Sequence, residues 1–554
     1  MKESKAFSKE RIMGLSCLRT HSYTTKENAM NQFIAKHQRD IHGVLAGFDR
    51  LVFHGNLRAL CGLPGMESYL AANRVLYKDF SQHVEQVSKQ IKEASLARAQ
   101  REGRIIQYVA PSADKQKMAQ AIAAEQSISQ GLICVLTSVE PCFSFSIYKN
   151  AKTKELDLQQ RQRQCLHIYQ YWMHPVFGFM NARIQTWFPF RVQICLNGRE
   201  WLARQMDKAG MKYLRQDNCF PWVEDFQQAQ KLMDLQLRTH WAKSLQNLAG
   251  ELNPIHEKIF DKFHIHYYWS VFQSEWAIDV VFRDAGLLRR LYPKMVLHAM
   301  TSFGSADVMR YLGRRVPASG LVNKNFCGEI LSDLKQRPEG MRVKHGVNKN
   351  TVKAYDKAFT PLGSVLRFET TIHNGDDFRV YRRKEGDPNG PLAMRKMRRS
   401  VADLYRRADI SNKAAERYMN AMATVDDGTT LEELSKHLEN PVSWNGRRVR
   451  GLRLFDAADR QLLEAVNRGE FTINGLRNRD LQRLLFSQPP ASPREARRRC
   501  AWVSRKLRLL RAHKLLDKIH HTHRYHVSKN GRYIITALLT AFRTTLAQLT
   551  AVAA

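Results

Sequence analysis

The sequence predicts a multidomain α+β protein in which mixed or antiparallel β-sheets pack against helices. Segments of alternating apolar residues with many β-branched or aromatic side chains, such as 131–139, 143–148 and 165–172, are typical of strands. Stretches with apolar residues three and four positions apart, such as 66–101 and 222–260, are typical of helices. The 554 residues provide enough chain for roughly three or four domains.

Changes in composition and in hydrophobic period divide the chain into five regions. Gly and Pro at 385–391 and a polar stretch at 444–456 mark the last two boundaries. The predicted regions are a flexible basic arm at 1–35, an N-terminal α+β domain at 36–220, a central α+β domain at 221–390, a helical linker region at 391–454 and a C-terminal unit at 455–545.

The charge balance favours a polyanionic partner. The chain has 88 Lys and Arg against 52 Asp and Glu, which gives a formal net charge of +36. Such an excess is typical of proteins that bind phosphate-rich partners, so DNA, RNA or both are expected. No apolar run is long enough to span a bilayer, and we expect no membrane partner. The nine cysteines form no C-x-x-C pair, which favours reduced thiols in a cytoplasmic protein, here associated with the nucleoid.

The C-terminal unit carries the strongest signal for nucleic-acid binding. Its predicted order is helix, helix, helix, hairpin, helix, and Ser492 with Pro493 is typical of the start of the third helix. The segments VSRKLRLLRAHKLLDKI and HRYHVSKNGRYIITALL resemble the winged helix-turn-helix domain of MarR-like regulators. This resemblance implies that the third helix enters the major groove and that the hairpin contacts the backbone or the minor groove.

The basic residues of this unit are the candidate contacts. Residues 494–532 contain 13 Lys and Arg against 2 Asp and Glu, and such side chains bind phosphates or read guanine edges. The alternative is a solvated basic helix or a protein-contact module. The predicted nucleic-acid-binding residues are Arg494, Arg497, Arg498, Arg505, Lys506, Arg508, Arg511, Lys514, His523 and Arg524, with Lys344 and Lys353 of the central domain.

A second signal lies at 351–372, TVKAYDKAFTPLGSVLRFETTI. Its Y-D-K and R-x-E motifs resemble a hairpin of the rolling-circle replication initiators of plasmids and phages. On two neighbouring strands, Asp356 and Glu369 would bind one divalent ion, and Lys357 and Arg367 would hold a phosphate beside it. Regular alternation points Asp356 away from Lys357, so one shared site needs a bulge. The alternative is a cross-strand lattice of charges.

Two further motifs offer metal ligands. If His264-Ile265-His266 is a strand, both imidazoles share a face, which resembles the metal-binding strand of the HUH nucleases. The segment 43–55 resembles the opening strand of RNase H-like nucleases and transposases, with Asp49 as the first ligand and Glu140 or Asp279 as later ones. The alternative is that Asp49 pairs with Arg50 or Arg58, or caps a turn.

These observations lead to one hypothesis and one alternative. The hypothesis is a nucleic-acid-binding protein of mobile-element or replication type that docks on duplex and cuts or transfers a strand with Mg²⁺ or Mn²⁺. The alternative is a non-enzymatic transcriptional regulator, or a scaffold for a structured non-coding RNA. No P-loop or dinucleotide fingerprint occurs, so no nucleotide or flavin cofactor is expected. Whether the chain is an enzyme, and whether it forms a dimer, stays open.

Overall fold

The structure is a computed structural model that describes residues 32–314, 330–337, 340–360, 363–387, 389–423, 430–468, 471, 475–519 and 522–545. Most of the predicted basic arm lies outside these residues. The described helices are α1 Gln32–Lys36, α2 Leu63–Ala72, α3 Phe80–Arg101, α4 Lys115–Glu125, α5 Gly198–Lys208, α6 Phe226–Asp234, α7 Trp241–Leu252, α8 His256–Ile259, α9 Ala285–Ser302, α10 Ser305–Tyr311, α11 Leu404–Met422, α12 Leu431–Glu439, α13 Ala457–Val466, α14 Asn478–Leu485, α15 Pro493–Ala512 and α16 Lys529–Ala541. Among the described residues, no helix combines the length and the hydropathy needed to cross a membrane.

The described strands confirm the predicted α+β class, and most of them belong to one large mixed sheet. The strands are β1 Ile41–Asn56, β2 Ile105–Tyr108, β3 Gly131–Lys149, β4 Leu156–His174, β5 Gly178–Gln185, β6 Val192–Asn197, β7 Tyr213–Gln216, β8 Cys219–Val223, β9 Tyr268–Phe282, β10 Ile330–Arg337, β11 Gly340–Val347, β12 Asn350–Thr360, β13 Gly363–Ile372, β14 Arg379–Arg382, β15 Ala393–Lys396, β16 Val442–Trp444, β17 Arg447–Val449, β18 Leu516–Lys518 and β19 Tyr525–Val527.

The large sheet has eleven strands in the order β10-β11-β12-β13-β9-β1-β6-β5-β4-β3-β2. Neighbouring strands run antiparallel except β2 and β3, which run parallel. At its centre, β1 pairs with β9 along almost its whole length. Strands of the predicted 36–220 and 221–390 regions therefore belong to one sheet and share one hydrophobic core.

Strand β9 shows how the sequence separates the two faces of the sheet. Trp276, Ile278 and Val280 alternate with Glu275, Ala277 and Asp279, and successive side chains of a strand point to opposite faces. The apolar set packs with the helices of the core: Trp276 Nε1 donates to Asn412 Oδ1 of α11 at 3.1 Å. Glu275, Ala277 and Asp279 lie on the other face, which we call the polar face.

Helix α11 lies in the region predicted as a linker, yet it belongs to the main core. Tyr418, Met419 and Met422 are fully buried there. The Tyr418 hydroxyl lies 2.9 Å from Nδ1 of His345 on β11, which joins the helix to the sheet. The run of apolar side chains along α11 has a physical reason, because this helix covers the apolar face over β9 and β13.

The C-terminal unit has a hydrophobic core of its own. Ser492 Oγ accepts a hydrogen bond from the backbone N–H of Glu495, and Pro493 is the first residue of α15, as the sequence predicts. Helix α15 leads into the hairpin β18–β19, which α16 follows. An isolated antiparallel bridge joins Leu476, just before α14, to Tyr525 of this hairpin.

Candidate functional site

The register of β12 and β13 decides which predicted residues share a face. Lys353 lies opposite Glu369, and Lys357 lies opposite Val365, so these side chains and Arg367 belong to the polar face. Asp356 lies opposite Leu366 and points to the other face of the sheet. The prediction that Asp356 and Glu369 bind one ion is therefore wrong, because no bulge separates Asp356 from Lys357.

Three carboxylates from neighbouring strands meet on the polar face. Asp49 of β1, Glu275 of β9 and Glu369 of β13 each place an oxygen within 4.8 Å of the other two. We call these three residues the carboxylate cluster. Asp49 joins it through a β-bulge: Phe48 pairs with Trp276 and Arg50 with Glu275, which leaves Asp49 as the extra residue.

Buried cations hold two sides of this cluster. The Arg367 guanidinium donates from Nε to Asp279 Oδ1 at 2.6 Å and from Nη1 to Asp49 Oδ2 at 3.3 Å. Arg199 of α5 reaches Asp279 at 2.8 Å, and Lys353 bonds to Glu369. Both arginines are fully buried, so these ion pairs lie in a poorly solvated site where they are strong. They fix the orientation of the carboxylates.

Burial and the neighbouring charges together shift the pKa values of these carboxylates in opposite directions. Burial alone would raise the pKa of Asp279, but Arg199 and Arg367 lower it below its usual value. Burial raises the pKa of Asp49, even though the same two arginines oppose the shift. Burial and the neighbouring Glu369 raise the pKa of Glu275 to about 7. Burial is thus the largest cause of both upward shifts, and repulsion from neighbouring carboxylates adds to it.

One oxygen of the cluster has no hydrogen-bond donor among the described residues. Asp49 is 5% exposed, and while its Oδ2 accepts from Arg367 and Asn218, its buried Oδ1 accepts from none. Arg199 Nε lies 3.9 Å from this Oδ1. Carboxylate oxygens are the ligands that Mg²⁺ and Mn²⁺ prefer. The donor set therefore fits one such ion, held by Asp49, Glu275 and Glu369.

The turn between β7 and β8 covers one end of the cluster. Asn218 donates from Nδ2 to Asp49 at 3.0 Å, and its backbone oxygen accepts from Arg367. Its side-chain oxygen accepts from Lys357, which the sequence assigned to a phosphate. Lys357 and Arg367 are thus occupied inside the protein. At the other end Glu275 is partly exposed and Arg50 is exposed, so this end is the accessible one.

The other acids predicted to join Asp49 have different partners. Asp279 is held between Arg199 and Arg367 and is not among the three grouped ligands. Glu140 lies on β3, where it accepts from Tyr169 at 2.6 Å and pairs with Arg183 at 3.3 Å. The prediction that Glu140 or Asp279 completes the site is wrong, because neither belongs to the ligand group of Asp49, and Glu140 lies on β3, four strands away from β1. The alternative, that Asp49 pairs with an arginine nearby in the sequence, also differs from the structure. Asp49 Oδ2 accepts from Arg367 of β13, two strands away in the sheet.

The two predicted metal-binding histidines do not lie on a strand. His264 and His266 are exposed and precede β9, which begins at Tyr268. His264 belongs to no group of metal ligands among the described residues, whereas His266 lies near His256 and Glu257. The predicted His264–His266 pair on one strand face is therefore wrong, because this segment has no strand partner to impose the alternation.

The predicted nucleic-acid contacts fall into two sets. Five of them are exposed on α15, and no described residue forms a hydrogen bond or an ion pair with their side chains: Arg494, Arg497, Arg498, Arg505 and Arg508. Lys514 and His523 are exposed as well.

The other predicted contacts have partners inside the protein. Lys506 pairs with Asp459, and Lys344 with Asp333 at 3.2 Å. Lys353 pairs with Glu369. The guanidinium of Arg511 lies 5.0 Å from the ring centre of Trp444, and that of Arg524 lies 4.1 Å from the ring centre of Tyr381.

Sequence reasoning missed Glu275 and Arg199. Glu275 had a signal, because Glu275 and Asp279 lie four positions apart in SEWAIDVV and alternate with Trp276, Ile278 and Val280, which marks one polar strand face. Arg199 had no such signal. The sequence NGREW predicts the start of a helix but does not indicate which strand the arginine will reach. Comparison with models of known protein families, with curated proteins and with solved structures finds no match for this chain.

We predict that Glu275→Gln changes the pH dependence of stability. The folded-state pKa of Glu275 is raised from 4.5 to about 7, so the folded protein binds this proton more tightly than the unfolded chain. Stability therefore falls as the pH rises through this window, by up to about 3 kcal/mol. Without divalent ions, the variant should melt at a higher temperature than the parent at about pH 8 and similarly at about pH 5.

The matched control is Glu85→Gln, which changes an exposed glutamate of α3. Its melting temperature should follow that of the parent protein at both pH values, measured by differential scanning fluorimetry in EDTA. If Glu275→Gln and the parent lose stability equally between about pH 5 and pH 8, the carboxylate repulsion inferred here is absent.

Proposed function

We propose that this protein binds nucleic acid and cuts or transfers a strand with a divalent metal ion, as a replication or mobile-element protein does. The C-terminal unit docks on duplex, and the carboxylate cluster is the metal site. The observation that carries the proposal is the meeting of Asp49, Glu275 and Glu369 on the polar face of the sheet, where Glu275 is partly exposed. No nucleotide cofactor is part of the proposal.

The arrangement of arginines on α15 supports docking on a polyanion. At about 100° per residue, Arg494, Arg497, Arg498, Arg505 and Arg508 fall within about 100° of one helix face. The opposite face carries Val503, Leu507 and Leu510, which are buried in the unit's own core. From Arg494 to Arg508 the stripe is about 21 Å long, at about 1.5 Å per residue. Five cations along such a length suit the phosphate spacing of a duplex.

The order of elements in the C-terminal unit supports the winged helix assignment. Helix α13, the bridging residue Leu476, α14, α15 and the β18–β19 hairpin follow one another in that order. In a winged helix the third helix is the one that enters the major groove. Here that helix is α15, which carries the arginine stripe. The exposed His523 lies in the hairpin, where a wing would contact the backbone.

The carboxylate cluster supports metal-dependent chemistry on a phosphodiester. A divalent ion bound there would activate the attacking water or hydroxyl and neutralise charge on the phosphate. The chain's own residues supply the rest of the site. Arg50 is exposed beside Glu275 and offers a cation to an incoming phosphate. Arg367 and Arg199 keep the carboxylates in place from the buried side.

An exposed aromatic side chain beside the cluster supports a single-stranded substrate. Phe272 is 47% exposed and is the extra residue of a second β-bulge in β9, three positions before Glu275. Its ring stacks on His54, with centroids 4.2 Å apart and an angle of 13°. A nucleobase can stack on the free face of such a ring. A nucleic-acid strand stacked on Phe272 and a metal ion in the carboxylate cluster would then meet at the accessible end of the polar face.

The second candidate function is a non-enzymatic regulator or RNA scaffold. One observation favours it: Arg199, Arg367 and Lys353 already pair with carboxylates around the cluster. A network of this kind can hold β1, β9 and β13 together without a metal ion. Under this candidate function, the protein binds nucleic acid tightly and with steep salt dependence but leaves it intact.

Cleavage assays separate the two functions. Labelled single- and double-stranded DNA and RNA are incubated with the full-length protein in Mn²⁺, Mg²⁺ or EDTA. We expect metal-dependent products, and Glu275→Gln and Glu369→Gln should slow their formation at least ~100-fold, on the scale of lost electrostatic stabilisation. The matched control is Asp356→Asn on the opposite face, which should cleave like the parent protein.

Circular dichroism verifies that each variant is folded before its rate is compared. Absence of products from the parent protein with every substrate, together with tight binding, would favour the scaffold. Full activity in both glutamate variants would show that another site does the chemistry.

Binding assays test the arginine stripe. The triple change Arg494→Ala, Arg498→Ala and Arg505→Ala removes three phosphate contacts, so the slope of log Kd against log salt should fall by about 2 to 3. The matched control removes three exposed lysines elsewhere, Lys89, Lys92 and Lys117, and should leave the slope near that of the parent protein. Fluorescence anisotropy with a labelled duplex gives both slopes. Equal losses in the two triple variants would mean that binding follows net charge and not the α15 surface.

A further inference from the structure

A second group of metal-ligand side chains lies outside the sheet. His256 and Glu257 start the short helix α8, and His266 lies in the segment that leads into β9. One ligand atom from each of the three lies within 4.8 Å of the other two. The group shares no residue with the carboxylate cluster, and the proposed function does not use it.

The hydrogen bonding of His256 determines which of its nitrogens can bind a ligand. Nε2 lies 2.8 Å from the backbone oxygen of Ile265. Because a carbonyl oxygen only accepts, Nε2 carries the proton and Nδ1 carries the lone pair. His256 is 6% exposed, and its buried Nδ1 has no hydrogen-bond partner in the part of the chain that the structure describes. Metal-binding histidines typically have this arrangement, with a backbone carbonyl holding the other N–H.

We propose that Nδ1 of His256, the carboxylate of Glu257 and the imidazole of His266 bind one transition metal ion of the Zn²⁺ class. Two imidazoles and a carboxylate are the ligand set of many zinc sites, and they leave one position for water or another ligand. Imidazole nitrogen favours zinc, nickel or copper over Mg²⁺, so this site and the carboxylate cluster select different ions.

To bind the ion, the exposed side chains of Glu257 and His266 must turn towards Nδ1 of His256. Around a tetrahedral zinc ion, ligand atoms lie about 3.4 Å apart. Glu257 and His266 are both exposed, so rotation of their side chains can close the remaining gap while the buried His256 stays in place. The bound ion would join α8 to the segment preceding β9, and through it to the strand that carries Glu275. Binding should therefore raise the melting temperature as the metal concentration rises.

The test uses tag-free, full-length protein and Co²⁺ as a spectroscopic substitute for Zn²⁺. We expect one tightly bound Co²⁺ per chain with the visible absorption of a tetrahedral site, and its displacement by Zn²⁺. His266→Ala and Glu257→Gln should weaken binding at least ~10-fold, since even the loss of a supporting hydrogen bond costs 10-fold to 100-fold. These two positions are exposed, so the variants should fold.

His264→Ala is the matched control, because His264 is exposed, lies two residues away and belongs to no ligand group of the described residues. It should bind Co²⁺ like the parent protein, and so should Glu275→Gln, which separates this site from the carboxylate cluster. The proposal is overturned if the parent binds no Co²⁺, or if His264→Ala weakens binding as much as His266→Ala.

Discussion

The buried guanidinium of Arg367 is the constraint on which the rest of the site depends. From β13 it donates to Asp279 of the adjacent strand β9 and to Asp49 of β1, one strand further away. Because the guanidinium is fully buried, solvent cannot replace these partners. Removing it would leave the buried carboxylates of Asp49 and Asp279 to share Arg199, and buried charge that is only partly compensated is destabilising in proteins. The same ion pairs orient Asp49 towards Glu275 and Glu369. Stability and the geometry of the carboxylate cluster therefore have one origin.

Two β-bulges in the β1–β9 pair shape the site. The first adds Asp49 to β1, and the second adds Phe272 to β9. Each places on the polar face a side chain that strict alternation would not place there. The buried carboxylate of Asp49 and the exposed ring of Phe272 consequently share the polar face with Glu275. The opposite face is committed to packing against α11 and carries no such irregular position along Trp276, Ile278 and Val280.

Local patterns predicted the parts of the structure that depend on neighbouring residues. The α+β class, the start of α15 at Ser492 and the strands around Tyr355 follow from short-range alternation and capping. Separate motifs predict Asp49 and Glu369 as ligands, and nothing local indicates that they meet. Their contact depends on strand order in an eleven-stranded sheet, in which β13 and β1 flank β9. Asp356, the partner expected for Glu369, points to the other face because a shift of one residue along a strand changes the face of a side chain.

We propose above that Asp49, Glu275 and Glu369 bind one divalent cation. The most direct measurement is an anomalous difference map from crystals of the full-length protein soaked in Mn²⁺. We expect one strong peak within coordination distance of all three carboxylates, with the Lys353 ammonium moved away from Glu369. A map with no peak at saturating Mn²⁺, and with Lys353 still bonded to Glu369, would contradict it and leave the cluster as a buried ion-pair network.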